Sequence, residues 1–319
     1  MIGAARSSRP VVLDGGLATE LEARGHDLSD RLWSARLLLS DPEAIEAVHV
    51  AYFAAGAEVA TTASYQATIP GFVAAGLDPD TALGVIRSSV EIARRARDRF
   101  AERMGRAEGE LLVAGSVGPY GAMLADGSEY RGDYDPGDDA LRDFHAPRME
   151  ALIDAGADLL AIETIPTMRE ARVLATLVDE LGATAWLSFQ CRDEAATAAG
   201  EPIAEAIAVA AGAAGIAAVG VNCTAPRFVP DLLAAAADVT ERPLVAYPNA
   251  GDTWDAATRR WAAANGANGA DDGGYDARAV ASWTALGASW LGGCCGTGPA
   301  DIAALAGAVR AGTVSVRPR

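Results

Sequence analysis

Short apolar runs alternate with longer stretches of helical periodicity along this chain. Eight runs stand out: Val11–Gly16, Glu58–Tyr65, Leu111–Gly118, Asp158–Ile165, Thr184–Cys191, Ala217–Cys223, Pro243–Asn249 and Ser289–Cys295. Most are continuously apolar, as expected of strands buried on both faces. Helical patterns lie between them, among them Pro42–Ala55, Pro79–Glu102, Met168–Leu181, Arg227–Ala237 and Pro299–Val309. Ser40-Asp41-Pro42-Glu43 marks a helix start, with a capping residue beside a first-turn proline. Alternating strand and helix predicts a parallel sheet. Eight such pairs predict a single α/β domain, a (β/α)₈ TIM barrel. The competing doubly wound fold advertises a G-x-G-x-x-G turn after its first strand. Here that strand ends in Asp14-Gly15-Gly16-Leu17 instead. No composition break marks a second domain, so 11–310 is read as the barrel, 1–10 as a disordered N-terminal segment and 311–319 as a C-terminal tail.

Two connections are long. Pro119–Asp138 follows the third strand and Ala250–Gly274 the seventh. Both would lie on the face where barrel active sites sit, so each is read as a lid or a floppy insertion.

Composition narrows the chemistry. The chain has 319 residues and a net charge of −17, which argues against nucleic acid as a partner. It contains no lysine, and all 26 basic residues are arginine. Lysine Schiff-base enzymes and P-loop nucleotide binders are therefore excluded. No run of 18 apolar residues crosses a membrane. Met1–Pro10 lacks the apolar stretch of a secretory signal, and the chain is expected in the cytoplasm.

Polar residues and cysteines collect where the predicted strands end: Asp14, Tyr65, Glu163, Cys223, Asn249 and Cys294-Cys295. In a barrel these positions converge on one rim. The four cysteines do not resemble a disulfide framework in a chain of this size. Cys191 is read as a small buried hydrophobe. Cys294 and Cys295 sit in the frame Gly292-Gly293-Cys294-Cys295-Gly296, where glycines permit sharp bends. With Cys223 they supply three thiolates and leave a tetrahedral Zn²⁺ one open position, the mark of a catalytic site. The alternatives are that the pair is simply buried, or forms a strained vicinal disulfide, which a reducing compartment disfavours. Asp14, ahead of two glycines, has a turn-forming reading. Glu163 at the end of an apolar strand needs a cationic or backbone partner. Trp33, Tyr65, Tyr120, Tyr130, Tyr134, Tyr247 and Trp254 offer faces for a cation or are ordinary packing residues. His26, His49 and His145 show no metal spacing.

The three segments Asp14-Gly15-Gly16, Gly220-Val221-Asn222-Cys223 and Gly292-Gly293-Cys294-Cys295-Gly296 resemble the signatures of the homocysteine S-methyltransferases, in the family order and across nearly the whole chain. Tyr247-Pro248-Asn249-Ala250-Gly251 resembles the branch that uses S-methylmethionine or S-adenosylmethionine, as opposed to betaine. The resemblance implies a (β/α)₈ barrel, Zn²⁺ on Cys223, Cys294 and Cys295, and methyl transfer from a sulfonium donor to the thiol of L-homocysteine, forming methionine. It places Asp14 at the homocysteine site, Glu163 on the substrate amino group, and the N–H groups of Gly15 and Gly16 near the substrate carboxylate. Trp33 and Tyr65 match site-lining aromatics, and Asn249 is counted with the substrate residues. The rivals are a selenocysteine or other thiol methyltransferase, the homocysteine module of a methionine synthase, and a non-catalytic zinc-binding barrel. Absence of a D-x-H-x-x-G cobalamin signature weighs against the second.

Overall fold

The computed structural model describes residues 9–29, 31–107, 109–251, 253–255, 260–262 and 277–311. Eight parallel strands form the sheet: β1 Val11–Val12, β2 Val59–Thr61, β3 Leu112–Val117, β4 Leu159–Ile165, β5 Ala185–Phe189, β6 Ile216–Asn222, β7 Leu244–Tyr247 and β8 Ala288–Leu291. Hydrogen-bonded neighbours run β1-β8-β7-β6-β5-β4-β3-β2, and a parallel bridge from Leu13 to Val59 closes the ring. Each of the eight predicted runs overlaps one barrel strand; the sixth and eighth strands begin one residue ahead of their runs, at Ile216 and Ala288. Most strands are shorter than the apolar runs, because the final residues of most runs leave the ladder and turn over the rim.

Alternation along each strand sorts side chains into two cores. Val11, Leu13, Leu112, Ala114, Leu159, Ala161, Trp186, Ala218, Val245 and Trp290 pack inside the barrel. Val12, Val113, Leu160, Ile162, Leu187, Val219, Leu244 and Leu291 pack outward against the helices. Following the inward parity toward the C-terminal strand ends reaches Thr61, Ser116, Glu163, Ser188, Asn222 and Tyr247. The barrel interior thus changes from apolar to polar at its upper end.

The helices follow the sequence closely. Asp41 caps Pro42–Ala55 by accepting from the Ala44 N–H at 3.2 Å. Asp78 caps Pro79–Met104, and Thr167 caps Met168–Glu180. The predicted helix over Arg227–Ala237 begins as a 3-10 turn, Pro226–Phe228, and becomes α-helical at Val229–Ala237. His49 is fully buried in the helix Pro42–Ala55, as a packing residue.

The first long connection is not structureless. It contains the helix Tyr120–Leu124 and the 3-10 turn Ser128–Tyr130. Buried Glu170 ties down both of its ends, accepting from the Tyr120 N–H at 2.6 Å and from the Tyr134 hydroxyl. His145 Nε2 lies 2.7 Å from the same carboxylate. Of the second connection, the structure describes 250–251 and an antiparallel ribbon, Thr253–Asp255 with Arg260–Ala262. The rest of 250–274 lies outside the described residues, as do 1–8 and 312–319, on which most of the expected disordered N-terminal segment and C-terminal tail fall. Arg9 is described, and it forms an ion pair with Glu58 at 2.6 Å.

Gly220 allows β6 and β7 to pair. A Cβ there would lie 1.9 Å from the Val245 carbonyl oxygen, whereas one on Gly84, in the helix Pro79–Met104, would meet nothing within 4 Å. Gly220→Ala is expected to cost about 3 kcal/mol or more in urea denaturation, at the upper end of overpacking effects. Gly84→Ala is expected to stabilise the protein by up to about 1 kcal/mol.

Candidate active site

The rim gathers Cys223 from the end of β6 and Cys294-Cys295 from the end of β8. Their sulfur atoms all lie within 4.8 Å of one another. Cys223 Sγ is 3.7 Å from Cys295 Sγ, and Cys294 Sγ is 4.0 Å from it. All four cysteines are free thiols. Cys191 stays apart, buried, its N–H bonded to Thr224 Oγ1 at 2.9 Å.

Backbone contacts from two sides hold the cysteine pair. On one side Gly293 N donates to Asp14 O at 3.0 Å, and Gly16 N donates to Thr297 O at 3.0 Å. Close approach here requires glycine, since a Cβ on Gly16 would lie 2.6 Å from the Cys294 carbonyl oxygen and one on Gly293 would lie 2.2 Å from Thr297 Oγ1. On the other side, Cys294 N donates to Pro248 O at 2.8 Å and Ala250 N to Cys295 O at 2.9 Å. Cys223 N donates to Tyr247 O at 3.2 Å, and Asn249 N donates to Thr224 O at 3.1 Å. The Tyr247–Ala250 segment therefore clamps both cysteine loops together.

A pocket opens beside the sulfurs. Its lining includes Asp14, Gly15, Gly16, Trp33, Thr61, Tyr65, Tyr130, Glu163 and Tyr247 as well as the three cysteines, and among the described residues no arginine. Trp33 and Tyr65 meet edge to face, with ring centroids 6.0 Å apart. Of the residues that the family resemblance placed at the metal and substrate sites, Asn249 is absent from this lining. It is buried with its side-chain Oδ1 unpartnered, and its segment serves the clamp. The Gly16 N–H is already spent on Thr297, so of the two glycines only Gly15 keeps its N–H without a protein acceptor.

Asp14 does not fold back on its own turn. Its carboxylate accepts from Thr61 N at 2.7 Å and from Thr61 Oγ1 at 2.9 Å, across to β2. Burial pushes its pKa up to about 7, with the Thr61 bonds opposing. Glu163 accepts a hydrogen bond from Ser116 Oγ. Burial raises its pKa to about 8; the Ser116 bond opposes this, while Cys294 and Asp14 add to it.

Thr61, Ser116 and Thr297 carry no chemical signature of their own; strand parity is the signal that finds the first two. Tyr130 is the tyrosine of the first long connection that reaches the site, its hydroxyl 3.8 Å from Cys223 Sγ. Tyr120 and Tyr134 pack instead on each other and on Glu170. The side chain of Trp254 lies outside the described residues.

The donor set fits a soft cation. Hydrogen bonds from the other two thiols pull the Cys223 pKa well below its ordinary value, while those two thiols are pushed well above theirs, chiefly through their contact with Cys223. Zinc–sulfur bonds of about 2.3 Å in a tetrahedron imply sulfur–sulfur edges of about 3.8 Å, close to the Cys223–Cys295 and Cys294–Cys295 separations.

In metal-free protein, Glu163 and Asp14 keep their protons to higher pH than in the unfolded chain. The folded state then binds more protons across the window from about 4.5 to about 8 for Glu163, so stability falls as pH rises through it. Metal-free Glu163→Gln is expected to lose less melting temperature than the parent between pH 5 and about 8. Parallel melting curves for the two proteins would contradict the raised pKa.

The homocysteine S-methyltransferase family model matches residues 11–309. Homocysteine S-methyltransferase of Escherichia coli (strain K12) is 49% identical over 296 residues, covering 92% of this chain and 94% of that protein. Selenocysteine Se-methyltransferase of Brassica oleracea var. italica is 43% identical over 307 residues, covering 92% and 87%. The metallated crystal form of the homocysteine methyltransferase MmuM from Escherichia coli superposes with a TM-score of 0.83 at 47% identity, covering 94% of this chain and 96% of that one. The chain therefore belongs to the homocysteine S-methyltransferase family.

Proposed function

We propose that this protein transfers a methyl group from a sulfonium donor to the thiol of L-homocysteine, giving methionine, with Zn²⁺ held by Cys223, Cys294 and Cys295. S-Methylmethionine is the favoured donor and S-adenosylmethionine the second. The observation that carries the reading is the pairing of three convergent sulfurs with two buried carboxyls that have no basic partner among the described residues of the lining. Such a pocket suits a thiol ligand that also bears an ammonium group. Residues 11–310 act in this reading as one catalytic unit. Three free thiols suit a reducing compartment, the cytoplasm. Among the described residues no helix is long and apolar enough to cross a membrane.

Zinc supplies Lewis acidity that keeps the acceptor thiol deprotonated near neutral pH. Glu163, fixed by Ser116, takes the homocysteine ammonium, and Asp14 adds negative potential beside it. Loss of the Glu163 proton when the ammonium arrives turns a costly buried acid into a paired charge. The Gly15 N–H faces the substrate carboxylate. Trp33, Tyr65 and Tyr130 wall the sulfur cluster with aromatic surface, which exclude water and favour the donor's cation. The acceptor sulfur then forms a bond to the methyl carbon as the donor's sulfur–methyl bond breaks. The electron pair stays on the donor sulfur, leaving a neutral thioether, and no general base is required. Holding the three atoms in line supplies much of the acceleration.

The similarity to a selenocysteine methyltransferase favours a second acceptor at the same site, because a selenolate asks for the same cation and the same carboxyls. A donor and acceptor panel on zinc-loaded protein tests both readings. S-Methylmethionine with homocysteine is expected to outperform betaine at least tenfold, roughly the discrimination one lost favourable contact gives. A preference for betaine would overturn the branch assignment. Cys294→Ala is expected to lose zinc and nearly all activity together; a zinc-free variant with full activity would refute the metal role.

A further inference from the structure

Two residues at the rim hold backbone conformations that side chains other than glycine's rarely adopt. Thr164 has φ +62° and Cys223 has φ +48°. A β-branched residue in this region persists only where its surroundings over-determine it. Thr164 follows Glu163 in β4, and Cys223 follows Asn222 at the end of β6. One side chain joins the two turns. Asn222 is completely buried. Its Oδ1 accepts from Thr164 N at 2.7 Å and from Ser188 Oγ at 2.8 Å, and its Nδ2 donates to Thr164 Oγ1 at 2.8 Å. The double bond to Thr164 engages its N–H and its hydroxyl at once.

The connection continues to the pocket wall. Ser188 Oγ lies 2.6 Å from Tyr247 Oη, which also accepts from Trp186 Nε1 at 2.8 Å. Tyr247 lines the same pocket as Glu163. Buried groups thus form a continuous circuit of hydrogen bonds from Thr164 through Asn222 and Ser188 to Tyr247, with Glu163 and Cys223 attached to it by their own backbones.

We propose that Asn222 is a positioning residue that fixes the spacing between the amino-group site at Glu163 and the sulfur cluster at Cys223. The inference rests on the methyl-transfer reading above. Homocysteine is gripped at two ends, by its thiol and by its ammonium. The second contact is intramolecular once the first has formed, so its benefit depends on the distance between the two sites. Relaxing Thr164 shifts Glu163 relative to the sulfurs and removes that benefit. A bolt with only a structural role would lower stability and treat all thiols alike.

The test compares homocysteine with 4-mercaptobutyrate, the same thiol acid without the amino group, by calorimetry on the zinc-loaded full chain. Thr164→Val keeps the shape and deletes the acceptor for Asn222 Nδ2. Its Kd for homocysteine is expected to rise about tenfold, with the 4-mercaptobutyrate Kd within about twofold and one zinc retained. Thr164→Ser should restore the parent value. In a Glu163→Gln background, Thr164→Val should add less than about twofold, since the group it positions is gone. Should Thr164→Val fold poorly, Ser188→Ala breaks the circuit on the other side of Asn222 and should weaken homocysteine selectively by about threefold. Equal losses for both thiols, no loss with zinc intact, or full additivity with Glu163→Gln would overturn the proposal. A parent protein that binds homocysteine yet transfers no methyl group would sink the donor assignment alone.

Discussion

Three thiols packed within 4.8 Å in a buried pocket cannot all ionise without a cation among them. Much of the rim is arranged to impose that crowding. Cys223 reaches the point from the end of β6 through a left-handed turn, and Cys294-Cys295 from the end of β8 between glycines. The end of β1 and the segment after β7 then stitch the loops in place from opposite sides. The sulfurs are positioned by main-chain hydrogen bonds, which are stiffer than side-chain packing and leave the pocket side open.

The charge around the cluster follows the same logic. Among the described residues of the pocket lining Asp14 and Glu163 have no basic partner, and burial is the largest of the effects that drive both toward the neutral form. Such groups are expensive in an empty protein and become favourable when a cationic ligand arrives. The reaction proposed here brings an ammonium on the acceptor and a sulfonium on the donor. The pocket is therefore poised for its ligands at some expense in stability, as functional sites commonly are.

Barrel, strand count and cysteine cluster were legible from the sequence, because apolar runs and cysteine-glycine frames are strong local signals. The limits arose where function depends on contacts across strands. Asp14 looked like a turn former in isolation, and only the pairing of β1 with its neighbour shows its carboxylate on Thr61. Gly16 looked like a free donor, but its N–H is taken by Thr297, 281 residues away in sequence. Asn249 sits in the right motif but belongs to a clamp between cysteine loops rather than to the pocket lining. Ser116 and Ser188 are polar residues within apolar strands, visible once inward parity is counted. Tyr130 was one of several loop tyrosines; the anchoring of its loop on Glu170 brings it to Cys223, and no local pattern announces that.

The central claim is that three protein sulfurs hold zinc and leave the fourth position to the substrate's sulfur. X-ray absorption at the zinc edge tests it directly on the full-length, zinc-loaded protein. The account predicts three sulfur ligands and one lighter ligand without homocysteine, and four sulfur ligands at about 2.3 Å with homocysteine bound. A sulfur count that stays the same on adding saturating homocysteine would contradict it.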